Sequence, residues 1–220
     1  PVRMVVAVAA GGSTDVMARL VAHKLSERIG QQVVIDNRPG GSSIIGSDIV
    51  AKAQPDGHTL LMASGSFGTI SSMFAKLPFD MEKDFAPVSF IGTSPYVLVV
   101  QPSLPIKTVG DLISYGKANP GKLSYGTSGF GTTHHLSQEQ VRMITGADLL
   151  HIPYKTGVEA VQGLLSGQIP IAYAILGSIG SHLKAGKVIP LAAVMLDRSK
   201  ILPDVPTLHE TVIPGFEVLP

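Results

Sequence analysis

The feature that most constrains this chain is the run Val5–Ala10, followed by Gly11-Gly12-Ser13-Thr14-Asp15 and then by Val16 to Ile29. It reads as a buried strand, a glycine turn and an amphipathic helix ended by Gly30. The first four N–H groups of a helix have no partner inside it, and the macrodipole adds about half a positive charge at that end. Gly11 and Gly12 let a ligand approach the backbone, and Ser13 or Thr14 is expected to cap the helix while offering a hydroxyl. The turn is therefore a seat for an anion. It holds no Lys or Arg, no Gly-Lys-Ser/Thr follows it, and no Gly-x-Gly-x-x-Gly lies within it, so a carboxylate suits it better than a polyphosphate.

The same device returns once. Gly126-Thr127-Ser128-Gly129-Phe130-Gly131-Thr132-Thr133 lies between the strand-like run Lys122–Tyr125 and a helical pattern from Thr133 to Thr145. Other strand-like runs are Met4–Val8, Gln32–Ile35, Thr59–Ala63, Tyr96–Val100, Leu149–Ile152, Ile169–Tyr173 and Ile189–Val194. Helical patterns run over Thr14–Ile29, Ser43–Ala53, Val109–Ala118 and Gly157–Leu165. Alternation of this kind predicts parallel sheets with helices on both faces. The seam between two α/β units falls near Gln101-Pro102-Ser103-Leu104-Pro105, which gives a first lobe over 1–100 and a second over 101–220. Two helix N-termini directed at one anion would form a clamp, because ligands of open α/β sheets sit at the carboxyl ends of the strands.

Composition narrows the function classes. With 45% apolar and 15% charged residues the 220-residue chain is globular. A net charge of +1 without a basic run gives nucleic acid no electrostatic footprint, and only 5% of residues are aromatic. The absence of cysteine excludes disulfides, thiolate metal sites and cysteine nucleophiles. The stretch Ala160–Leu183 lacks Asp, Glu, Lys and Arg, but Gln162, Ser166, Gly167, Gln168 and Pro170 break it into a helix end, a turn and a strand.

No catalytic constellation emerges. Phe130 stands where the last glycine of a Gly-x-Ser-x-Gly elbow belongs. His134 and His135 are adjacent and point apart on a helix, so they form no metal pair, and the expectation is one exposed and one packed. His151, His182 and His209 are isolated in sequence and receive no function. Asp15 reads as complementing the helix dipole, and Asp36 with Arg38 as fixing the turn into Pro39-Gly40-Gly41. No cofactor, metal or catalytic residue is assigned.

The chain resembles the periplasmic substrate-binding proteins of tripartite tricarboxylate transporters, the Bug receptors. The resemblance is carried almost end to end by Gly11-Gly12-Ser13-Thr14-Asp15, Asn37-Arg38-Pro39-Gly40, Lys52-Ala53-Gln54-Pro55-Asp56-Gly57-His58-Thr59, Leu77-Pro78-Phe79-Asp80, Lys83-Asp84-Phe85-Ala86-Pro87-Val88, Gly129-Phe130-Gly131-Thr132-Thr133-His134-His135, His151-Ile152-Pro153-Tyr154-Lys155 and Leu202-Pro203-Asp204-Val205-Pro206-Thr207. It implies a two-lobed Venus-flytrap fold of type II, each lobe a mostly parallel sheet flanked by helices. It also implies a periplasmic receptor whose signal peptide has been removed, a monomer that captures a small organic carboxylate and delivers it to the membrane permease subunits of the transporter. An enzyme acting on a small carboxylic acid and a ligand sensor for a signalling partner are the alternatives.

Carried over by this resemblance, the first grip is Ala9, Ala10, Gly11, Gly12, Ser13 and Asp15, and the second is Thr127, Ser128, Gly129, Gly131, Thr132 and Thr133. Ser64, Ser66 and Ala174 are expected to shape the distal end. Three departures stand out: Ala7-Val8-Ala9-Ala10 replaces a Pro-Phe-Pro-Pro lip, Ile44 replaces an Asn, and Ala174 replaces an Asp that could meet a ligand ammonium. The expected ligand therefore lacks an amine. The resemblance also implies a further segment beyond Phe216-Glu217-Val218-Leu219-Pro220 that closes the first lobe.

Overall fold

A computed structural model describes residues 1–216, which divide into two compact units, Pro1–Gly92 and Thr93 onward. The first contains β1 (Val2–Val6), α1 (Ser13–Ile29), β2 (Val33–Asn37), α2 (Ile44–Ala51), β3 (Thr59–Met62) and the short α3 (Ile70–Met73). Its three strands are parallel in the order β2-β1-β3. Because side chains alternate along a strand, Val2, Met4 and Val6 meet Ala18 and Ala22 of α1 on one face. On the other face Gly46 of α2 lies so close to β1 that a Cβ there would stand 2.8 Å from the Ala7 Cα and 2.8 Å from the Arg38 carbonyl oxygen.

The helix boundaries follow local chemistry. Gly30 ends α1 in the left-handed region (φ 67°) and donates its N–H to the Ser26 carbonyl at 3.1 Å. The start of α1 differs from expectation. Gly12 occupies the N-cap with no side-chain cap, and Ser13 and Thr14 lie inside the first turn.

The second unit contains β4 (Tyr96–Val100), α4 (Val109–Ala118), β5 (Ser124–Thr127), α5 (Thr133–Thr145), β6 (Leu150–Pro153), α6 (Gly157–Leu165), β7 (Ile171–Ile175), α7 (Leu176–Lys184), β8 (Ile189–Ala193) and the short α8 (Leu208–Thr211). Its sheet order is β6-β5-β7-β4-β8. Both faces are covered: Tyr96, Leu98 and Val100 pack with Val109 and Leu112 of α4 and Val141 of α5, whereas Val97 and Val99 pack with Val161 and Leu164 of α6 and Ile179 of α7. Thr108 forms a capping box with Asp111 at the start of α4, where the sequence placed that start.

The second sheet is mostly parallel, as expected, with β4 the exception: it lies between β7 and β8 and runs antiparallel to both. β4 also belongs to the second unit, which moves the boundary from Gln101–Pro105 to Gly92/Thr93. A strand buried on both faces reads the same in either direction, and the Pro-rich stretch that looked like a seam is the exit turn of β4, where Leu104 donates its N–H to the Gln101 carbonyl at 3.2 Å. The remaining chain end, 217–220, lies outside the described residues. Among the described residues no helix is long and apolar enough to cross a membrane.

The tight approach of α2 to β1 gives a direct test. Gly46→Ala must displace backbone rather than a flexible side-chain end, and is expected to cost about 1–3 kcal/mol in urea unfolding. A variant with an unchanged midpoint would show that the approach is not constrained.

Candidate functional site

Each unit places a glycine turn at the carboxyl end of a parallel strand. In the first unit, β1 leads into Ala7–Gly12 and α1. Val16 is the first residue of α1 whose N–H finds a carbonyl, that of Gly12 at 3.0 Å, so the N–H groups of Ser13, Thr14 and Asp15 are those a helix start leaves unpaired within itself. Gly11 takes φ 84°, a conformation an L side chain resists. Its N–H is held by the Asp15 carboxylate at 2.9 Å.

Asp15 itself is buried and fully occupied. It accepts from Gly11 N and Arg19 Nε (3.0 Å) through Oδ2 and from Asn37 Nδ2 (2.9 Å) through Oδ1. Arg19 Nη2 reaches on to Asn37 Oδ1 at 3.1 Å. Burial alone would raise the Asp15 carboxyl, but the hydrogen bonds from Arg19, Gly11 and Asn37 prevail and hold it below the ordinary carboxylate value. The Asp15 side chain clasps the turn from behind. Asn37 and Arg19, which sequence reasoning left out of the site, complete the clasp from β2 and the second turn of α1.

Ala9 and Gly12 are half-buried and Ala10 and Gly11 exposed, so the lip of this turn is open. Because β3 is parallel to β1, Ser64 and Ser66 follow the same sheet edge. Their hydroxyls pair with each other at 2.7 Å. The loop after β2 reaches that edge too, and there Ser42 (φ 53°) and Ser43 (φ 77°) hold left-handed conformations that are costly for non-glycine residues. The sequence carries no local signal for that strain.

In the second unit β5 leads into Ser128–Thr132 and α5. Thr132 is the N-cap, and the first backbone bond of the helix is Leu136 N–H to the Thr132 carbonyl at 3.0 Å, leaving the N–H groups of Thr133, His134 and His135 without an intrahelical acceptor. Gly131 (φ 70°) donates its N–H to His135 Nδ1 at 3.3 Å. This repeats the first turn: the third residue of the helix clasps a left-handed glycine four positions earlier, with imidazole replacing carboxylate. Gly129 (φ 118°) is held on both sides, its N–H by Thr127 Oγ1 at 3.1 Å and its carbonyl by Thr132 Oγ1 at 2.8 Å.

Thr127 is completely buried, and its hydroxyl also contacts His151 Nε2 at 2.6 Å. Its hydroxyl thus serves inside the turn. His151, unassigned from sequence, stacks beside Tyr125 and lies 4.3 Å from the His135 ring, and exposed Phe130 covers the pair. Burial and the neighbouring His135 push His151 down to about 4. Of the adjacent histidines, His134 is the packed one. Its ring meets Tyr96 edge-on at 3.7 Å, Ser128 Oγ lies 3.3 Å from its Nδ1, and burial pushes it down to about 3.

Thr133 is buried at the helix start. Ala174, expected to shape the distal end, lies deeper than Thr133. It is 1% exposed, paired with Val97 in the middle of the ladder and packed in the core, so its methyl is closed to a ligand. The two turns carry backbone N–H groups without an intrahelical acceptor and the hydroxyls of Ser13, Thr14 and Ser128, and no Lys or Arg stands within either turn.

The chain belongs to the tripartite tricarboxylate transporter family of receptors, whose family model matches residues 17–219. It is 37% identical over all of its length to protein BugT of Bordetella pertussis, of which it covers 68%. It spans about two thirds of the length of the curated relatives it matches. A solved structure of an R. palustris protein with adipate is 38% identical with a TM-score of 0.89, over 99% of this chain and 73% of that one. MatC from Rhodopseudomonas palustris, with bound malate, is 30% identical with a TM-score of 0.86, over 99% of this chain and 74% of its own.

The clasp predicts an acid limb of stability. A depressed folded value means that the Asp15 contribution is fully present above the ordinary carboxylate value of 3.8 and is lost as pH falls through the folded one. In urea unfolding, Asp15→Asn is expected to cost about 2–3 kcal/mol at pH 6, the worth of hydrogen bonds to a buried charge, and the gap to wild type should narrow below pH 3.8. A gap independent of pH would exclude the carboxylate clasp.

Proposed function

We propose that this chain is an extracytoplasmic receptor that captures a small dicarboxylate and delivers it to the membrane permease of a tripartite tricarboxylate-type transporter. The observation that carries the reading is the twin turn, one per unit, each with a left-handed glycine clasped from the third helical residue and a first turn of unpaired N–H groups. Each turn offers a ligand anion hydrogen bonds from neutral donors. A helix N-terminus contributes about 0.3–1 kcal/mol to an anion when exposed and up to about 2 when partly buried, so the hydrogen bonds must supply most of a micromolar affinity. The adipate- and malate-bound relatives support a ligand with two carboxylates. In this reading the protein works in the periplasm, binds without turnover and acts as a monomer.

The ligand is further proposed to lack an amine. An ammonium needs a free carboxylate or converging carbonyls, yet both oxygens of Asp15 are committed to Gly11, Arg19 and Asn37.

The test is thermal unfolding of the purified chain with adipate, malate, aspartate, glutamate, succinate, glutarate and adipamide. At a hundredfold excess over Kd a ligand adds about 2.7 kcal/mol, which for a chain of this size raises Tm by roughly 5–11 °C. Adipate or malate should produce such a shift and adipamide none. Stabilisation by the amino acids but not by their deaminated counterparts would reverse the amine argument, and the absence of a shift with every acid would defeat the carboxylate reading.

A further inference from the structure

Resting on the carboxylate reading, we infer that His134 is a positioning residue: it donates its Nδ1 proton to Ser128 Oγ and so fixes the Ser128 hydroxyl as a donor toward the bound acid. The argument begins with a neutral imidazole that has one N–H to place. Ser128 Oγ lies 3.3 Å from Nδ1, and among the described residues Nε2 is buried without a hydrogen-bond partner. If the proton sat on Nε2, a buried N–H would be orphaned, and Ser128 would spend its own proton on Nδ1. With the proton on Nδ1, only a lone pair is left unmet. Orphaned buried donors are the rarer and costlier of the two.

The neighbouring residue points the same way. Gln138, one helical turn on, accepts the Tyr173 hydroxyl through Oε1 at 3.0 Å, which leaves its own Nε2 a buried donor without a partner. The His134 ring stacks at 6.1 Å from the same Tyr173. A proton on His134 Nε2 would put a second unmet donor into this cluster, whereas a bare Nε2 adds an acceptor to it. Among the described residues no charged group is hydrogen-bonded to His134, and burial resists its protonation, so the ring stays neutral through the physiological range.

The consequence is chemical polarity at Ser128. A serine hydroxyl is both donor and acceptor, and one facing a carboxylate with its lone pairs would repel it. By filling a lone pair of Ser128 from behind, His134 leaves the hydroxyl proton for the acid. The residue is buried and need not touch the ligand.

Two measurements decide this. In histidine labelled with nitrogen-15, two-bond proton–nitrogen correlations on the unliganded chain should show His134 as the Nδ1–H tautomer; the Nε2–H tautomer would overturn the assignment whatever the protein binds. In calorimetric titrations with adipate, His134→Phe, which keeps a ring against Tyr96 but has no donor, should weaken Kd about tenfold, the worth of one hydrogen bond to a charged group. His134→Asn, which places an amide donor near the Nδ1 position, should stay within about threefold of wild type. Ser128→Ala combined with His134→Phe should bind no more weakly than Ser128→Ala alone. Additive losses, or equal losses for Asn and Phe, would reduce His134 to a packing residue. If wild type binds no acid, the carboxylate reading fails, and the tautomer still decides the role of His134.

Discussion

The interaction on which the recognition surface depends is a hydrogen bond of the protein with itself. In each unit a glycine forced into the left-handed region gives its N–H to the third residue of the helix that follows, Gly11 to Asp15 and Gly131 to His135. That bond closes the turn and takes one donor out of competition. The donors that remain are the early helical N–H groups, which have no intrahelical acceptor to satisfy them. Parallel strands then decide where they point, since every crossover brings its helix start to the carboxyl edge of the sheet. Geometry and unmet hydrogen-bonding capacity arise from the same local event.

The two clasps differ in charge, and the difference reaches further into the structure. A buried carboxylate at Asp15 needs compensation, and Arg19 and Asn37 supply it, tying α1 to β2. An imidazole at His135 needs none, and the second turn is instead stiffened by hydroxyls and aromatic rings, with Thr127, Thr132, His151 and Phe130 packed around it. Neither turn offers a free cation. Recognition by neutral donors lowers the cost of desolvating the empty site, because no unpaired buried charge is left behind when a ligand departs.

Much of the fold was legible because local chemistry and tertiary structure agree. Thr108 with Asp111, Gly30 and Gly146 mark helix ends by mechanisms that act within one turn, and Gly157–Leu165 follows from its apolar stripe alone. α7 was not legible. Its N-cap is Ile175, it contains Gly177 and Gly180, and no local signal marks its start; Leu176 and Ile179, both buried in the core, hold it in place. The direction of β4 escaped for a different reason, since a run buried on both faces carries no record of its neighbours' polarity.

For the candidate site, the sequence by itself determined the backbone part: where the glycines stand, where the helices begin, and therefore which N–H groups lack partners. These depend on residues within about five positions of one another. The tertiary structure decided what each side chain does there. The side chains of Asp15 and Thr127 are turned inward, because Asn37 and His151 arrive from neighbouring strands to occupy them. His151, isolated in the chain, becomes part of the second turn, and Ala174 withdraws into the core. Partners separated by more than twenty residues meet only through strand pairing, and no local pattern of residues encodes which strand will lie next to which.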